Sequence, residues 1–465
     1  KLRACGYKAV LKLVRNYLKM KKEEISYLSL LLVHVFIGLL VYTVPFTAKL
    51  YGYSIFIFGT IFILKSSNKN NEALLVAAYV VGSEVFLRMT GGNPLYEISK
   101  YGVLFFLLLG MYFSGFSKKA FWYWIFLILL IPSVIIATFA LDLGTNIRTR
   151  IAFNISGPLC LGIASIYTYK RNITLEQMNR ILLFMGLPIV TCMAYLTIYT
   201  PIIKDVITGT ESNFQTSGGF GPNQVSTILG LGMFVFFSRV LLASKTKLLV
   251  IINLFLALNI SYRGFITFSR GGMITGLVMI FILLAFLYIK SNDTGKAKLK
   301  FSVVLIVLAM LGVWMYASFQ TGWLINKRYA NQDAAGRVKA SQFTGRENLA
   351  DEEIDIFLNN PLLGAGVGKV IEIRESETGK TAASHNEITR MLAEHGALGI
   401  IGLLILIFTP FVLYFEYKFN VFLLCFVIFW LLTINHAAMR TAAPAFVYAL
   451  SLLIIRFESP AKNEK

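Results

Sequence analysis

Histidine, cysteine and acidic side chains are scarce in this sequence, and each scarcity closes a line of interpretation. Four cysteines occur in 465 residues, Cys5, Cys160, Cys192 and Cys425, all in or beside apolar runs and none in CxxC spacing. That argues against a disulfide framework or a cysteine metal site and leaves four small buried hydrophobes. The 24 Asp and Glu stand against 44 Lys and Arg, a formal charge of +20. Such a balance invites a nucleic-acid reading, but the cations form no single face and no soluble domain. They punctuate apolar runs instead, so nucleic acid is not expected as a partner. Charged residues make up 15% of the chain, well below the roughly 25% of soluble domains.

What fills the chain is apolar: 56% hydrophobic residues and a mean hydropathy of +0.68. A spanning helix needs about 20 mainly apolar residues, because no water is present to satisfy its backbone. About fourteen such runs can be read, from Ile25–Val44 to Pro444–Ile455, the short ones as half-helices. The expected fold is therefore all-α, a polytopic membrane bundle of about 12–14 spans. Residues 1–24 carry eight Lys or Arg among apolar residues at helical spacing. They read as a cytoplasmic interfacial helix, without the compact apolar core and small-residue cleavage site of a signal peptide. The first part of the bundle follows over 25–320, a polar loop over 321–395, the rest of the bundle over 396–456 and a cytoplasmic tail over 457–465.

Parity supports this arrangement. With the first residues inside, Lys65, Lys118, Lys170, Lys245, Lys296 and Lys418 all fall on the cytoplasmic side, as the positive-inside rule asks. The opposite side receives Arg88, Arg148, Arg150, the loop 201–222, the turn 268–272, the polar loop and the segment 435–440. External segments rich in arginine and poor in lysine call for a local anion, and the planar guanidinium fork suits phosphate.

The polar loop is the centre of the chain. Leu349, Ile354, Phe357 and Leu358 recur at helical intervals, and Asn359-Asn360-Pro361 ends that helix, so a packed helical cap is expected. Gly364-Ala365-Gly366-Val367-Gly368-Lys369 resembles a phosphate loop only at a glance, since Val370 stands where Ser or Thr would bind magnesium and no buried strand precedes it. It reads as a structural turn. His385 follows in a polar run, where a neutral imidazole suits a general base, with Asn386 and Glu387 able to orient it. His385 and His395 are ten apart, without ligand spacing, so no metal is expected. Arg270 and Arg346, flanked by Ser269, Gly271, Gly272 and Gly345, can bring two forks to one diphosphate; the plainer account of either alone is interfacial snorkelling.

At these residues the sequence resembles the O-antigen ligase and O-antigen polymerase superfamily of GT-C type membrane glycosyltransferases. The resemblance rests on Gly219-Phe220-Gly221-Pro222-Asn223, Ser269-Arg270-Gly271, Gly345-Arg346, Pro361-Leu362-Leu363-Gly364-Ala365-Gly366, and His385-Asn386 with Leu392-Ala393-Glu394-His395-Gly396. It implies a GT-C-like bundle with a periplasmic cap in a bacterial inner membrane. It further implies transfer of a glycan from an undecaprenyl-diphosphate carrier, without cofactor or metal, and gives functional roles to Arg270, Arg346 and His385. Asn223, Asn386, Glu387, Glu394, Arg148 and Arg150 join them as candidate substrate-binding groups. The acceptor stays open between lipid A core, a second lipid-linked glycan and a protein. A flippase or transporter of lipid-linked glycans is the non-enzymatic alternative, disfavoured because the polar residues concentrate on one side.

This topology predicts that cysteines introduced at positions 296 and 346 react with an impermeant thiol reagent from opposite sides of the membrane. Labelling of both from one side would contradict it.

Overall fold

A computed structural model describes residues 2–142, 144–339, 346–379, 381–417 and 420–456, with the side chains of 2–20 and of Arg346 outside the description. The chain is a bundle of α-helices. The first seven are α1 (Leu2–Thr43), α2 (Thr47–Ser66), α3 (Glu72–Met89), α4 (Ile98–Ser114), α5 (Phe121–Ala140), α6 (Ile147–Thr168) and α7 (Leu175–Tyr199). Then come α8 (Pro222–Leu242), α9 (Lys247–Phe265), α10 (Arg270–Lys290) and α11 (Asp293–Gln320). The polar loop contributes α12 (Leu324–Tyr329), α13 (Arg346–Asn359) and α14 (Lys369–Thr378). The chain closes with α15 (Glu387–Glu416), α16 (Leu423–Ala437) and α17 (Ala442–Leu450).

Ten of these helices are long and apolar enough to cross a membrane, and α4 and α16 are shorter apolar helices. The protein is a multi-pass membrane bundle. Helix boundaries follow the expected chemistry: Asn146, Thr174, Thr246 and Asn292 each accept a backbone N–H at a helix start, and Pro222 opens α8, where its missing N–H costs nothing. The centre belongs to α8, 83% of whose apolar window is buried, whereas α11, at 17%, faces outward. Lipid-facing positions therefore read as exposed hydrophobes, among them Phe281, Leu308 and Phe408.

Two elements stand apart from the plain spans. The backbone of α1 runs unbroken from the basic first stretch into the first span. The last run, Pro444–Ile455, is a nine-residue helix followed by a strand, β2 (Ile454–Arg456). That strand pairs in parallel with β1 (Asn172–Thr174), just after α6. Nine residues rise only about 14 Å, too short to span, so α17 is a half-helix. It begins after a break at Ala438, whose φ of 50° stops α16 inside the bundle.

α15 carries the other bend. Gly396 has φ 60° and ψ −140° within it, and a Cβ there would fall 2.7 Å from the Leu362 carbonyl carbon. Only glycine meets both demands. The kink turns Glu387–His395 away from the rest of α15, so this first part packs under the cap helices α13 and α14.

Candidate functional site

His385 sits in the segment that enters α15. Asn386 caps that helix, its Oδ1 accepting from the Ile388 amide at 2.8 Å. The break between α16 and α17 then fixes the segment from the other side. The Ala438 amide donates to the His385 carbonyl at 3.0 Å, and the Met439 amide to Glu387 Oε2 at 3.2 Å. Arg440 Nη2 donates to the carbonyls of Ala383 and Ser384 at 2.9 and 2.8 Å. The helix break at Ala438 is thus satisfied by the segment around His385, as irregular backbone within a bundle must be.

The turn before α10 is built with similar economy. Phe268 is buried with φ 60°, and its carbonyl accepts from Arg328 Nε at 2.9 Å. Ser269 Oγ donates to Asn223 Oδ1 at 2.8 Å and accepts from Ser226 Oγ at 2.9 Å. Arg270 Nη1 reaches the Arg328 carbonyl at 3.4 Å. Gly271 lies against the ring of His436, where a Cβ would fall 2.6 Å from a ring carbon. Hence the Gly-Pro-Asn turn, the Ser-Arg-Gly turn and α12 form one unit.

Between these two units lies a cavity of about 380 Å³, lined among others by Asn223, Gln224, Arg328, His385 and Arg440. The first residues of α8 line it directly, and His385 and Arg440, which also line it, each stand two residues before a helix, α15 and α17. Arg270, at the start of α10, is not among the lining residues but reaches the carbonyl of Arg328, which is. A helix N-terminus carries partial positive charge and unpaired amides, so the start of α8 together with Arg328 and Arg440 favours an anion. The acid at the rim is Glu211. A hydrogen bond from Lys339 holds its carboxyl below the usual carboxylate range against the opposing effect of burial, and Arg328 lies 3.7 Å away. It therefore stays ionised at neutral pH, engaged with cations of the protein. Among the described residues, no three of His, Cys, Asp and Glu gather as a metal-holding group.

Residues 252–406, about a third of the chain, match the family model described as O-antigen ligase. The resemblance read from the sequence holds over this stretch, and the match supports a function of the O-antigen ligase or polymerase type. No curated protein matches the chain. The matched stretch contains Arg270, Arg328, Arg346 and His385, while Asn223 and Arg440 lie outside it yet line the same cavity as Arg328 and His385.

The remaining candidates divide. Arg346 opens α13, but its side chain and the preceding Thr344-Gly345 lie outside the described residues. Glu387 and Glu394 are buried on either side of Arg390, which donates to both; Glu394 Oε1 also accepts from the Gly368 amide at 2.8 Å. Arg148 and Arg150, at the start of α6, do not line the cavity, and Arg150 packs against Gly368. The glycine-rich turn expected to be structural docks on the α15 kink: the amides of Ala365 and Gly366 donate to the carbonyls of Ala393 and Glu394 at 2.9 and 3.2 Å. A second buried set extends the same packing, with Arg374 bonded to Glu352, Glu353 and the Ala382 carbonyl.

Sequence reasoning passed over Arg328 and Arg440 as site residues. No motif marks them; the available signal was a single arginine after Ala437-Ala438-Met439, in an otherwise apolar run. Removing one partner of a buried charge set leaves the others uncompensated, at about 3–5 kcal/mol. Arg390→Met is accordingly expected to lower the melting temperature of the purified protein markedly, because two carboxylates lose their common partner. An unchanged melting temperature would show that they are solvated.

Proposed function

We propose that this chain transfers a glycan from an undecaprenyl-diphosphate carrier to an acceptor hydroxyl at the periplasmic face of a bacterial inner membrane, as an O-antigen ligase with lipid A core as acceptor. The observation that carries the reading is the cavity lined by the α8 N-terminus, Arg328, Arg440 and His385, with Arg270 reaching the Arg328 carbonyl. A lipid diphosphate is the anion that such a chamber, opening at the end of an apolar bundle, suits best.

In this reading the acceptor oxygen attacks the anomeric carbon as the bond from that carbon to the phosphate oxygen breaks. The electron pair leaves with the diphosphate. Arg270 and Arg346 neutralise the developing charge, aided by the α8 and α10 N-termini in a partly dehydrated site. His385 takes the hydroxyl proton, a contribution on the order of 10²–10⁴-fold in rate. Attack opposite the diphosphate inverts the anomeric configuration. Asn223, tied to Ser269, orients the donor, and Asn386 and Glu387 hold the His385 segment. Glu394 acts through Arg390, and Arg148 and Arg150 contact the glycan at the cap edge. No metal is required.

Purified protein given lipid-linked glycan and lipid A core is expected to form product in the presence of EDTA. His385→Ala should lose nearly all transfer while retaining donor binding, and Arg270→Lys and Arg346→Lys should each lose most of it, since an ammonium offers no bidentate fork. Loss of activity on chelation, restored by zinc, would contradict the mechanism, as would near-normal turnover in the lysine variants.

A further inference from the structure

Arg440 lines the cavity, and its side chain is hydrogen-bonded to backbone carbonyls of the protein. Its Nη2 spans the carbonyls of Ala383 and Ser384, the two residues immediately before His385. The same short break in the helix contributes the Ala438 amide to the His385 carbonyl and the Met439 amide to Glu387. Four hydrogen bonds from three consecutive residues therefore converge on the span 383–387. The break is itself anchored below, where the Ala442 amide at the start of α17 donates to Glu84 Oε2 at 2.7 Å. Glu84 in turn pairs with Arg88 at 2.8 Å.

We infer that Arg440 is a positioning residue, which sets the location of His385 by clamping the two carbonyls ahead of it, with the half-helix α17 and Glu84 as its footing. This inference rests on the proposed role of His385. A clamp on carbonyls needs donors within reach and does not need a planar fork, whereas a residue that reads a diphosphate does. The two roles therefore predict different outcomes for lysine. A base displaced by about 1 Å can cost on the order of 10²-fold in rate without weakening substrate binding.

The test is initial-rate kinetics of glycan transfer by purified full-length variants at varied donor concentration, with a thermal melt to show that each is folded. Arg440→Gln is expected to lower kcat by about 10²-fold with the donor KM nearly unchanged, and Arg440→Lys to recover much of that loss. In a His385→Ala background, Arg440→Gln should cause little further loss of the residual rate, because both act on one group. A large rise in donor KM with kcat preserved would overturn the inference and make Arg440 a reader of the donor. Failure of lysine to recover any rate in a folded variant, or full additivity with His385→Ala, would overturn it as well. A fully active His385→Ala would instead defeat the proposed role of His385, which separates the two failures.

Discussion

In a hydrocarbon environment every backbone amide needs a partner, and helices that begin inside a bundle present amides that no preceding turn can satisfy. Here α8 begins on the wall of one chamber, and the segments that lead into α15 and α17 supply His385 and Arg440 to the same wall. Side chains of the protein meet some of these needs, Asn386 for α15 and Glu84 for α17. Arg328 and Arg440 stand on the chamber wall beside the start of α8. The chamber is a product of where helices stop, and the arginines add to a field that the backbone already provides.

Cations so near the membrane are tolerated because most are spent on carbonyls or carboxylates. Arg328 holds the Phe268 carbonyl, Arg440 holds those of Ala383 and Ser384, and Arg390 joins two buried glutamates. These contacts contribute less to net stability than to uniqueness, since buried ion pairs roughly repay their desolvation. Their effect is that two loops from distant parts of the chain are held in one arrangement. Gly396 completes it by bending α15 under the cap, so that the glycine-rich turn can donate its amides to the carbonyls of Ala393 and Glu394.

Hydropathy made the bundle legible, because length and apolarity suffice to mark a spanning helix. It did not separate the strand at the end of Pro444–Ile455 from the half-helix before it, since the two together have the composition of a short span. The periodicity of Leu349, Ile354, Phe357 and Leu358 located α13, whereas α14, charged and preceded by glycines, carried no comparable apolar stripe. In the site, Arg270 and His385 stood out through their small or polar neighbours. Arg328 and Arg440 did not, because their meaning lies in carbonyls about sixty residues away along the chain. Glu387 and Glu394 looked like substrate groups, although their spacing of three and four residues from Arg390 already allowed the pairing that forms.

The most direct test of the central claim, that the α8 N-terminus and arginines form a diphosphate site, is an experimental structure of the full chain with undecaprenyl diphosphate bound. The account predicts the two phosphates in the chamber, within hydrogen-bonding distance of Arg270 and the first turn of α8, with the polyprenyl chain running out between helices into lipid. Phosphates bound elsewhere on the protein, with the chamber walls untouched, would contradict it.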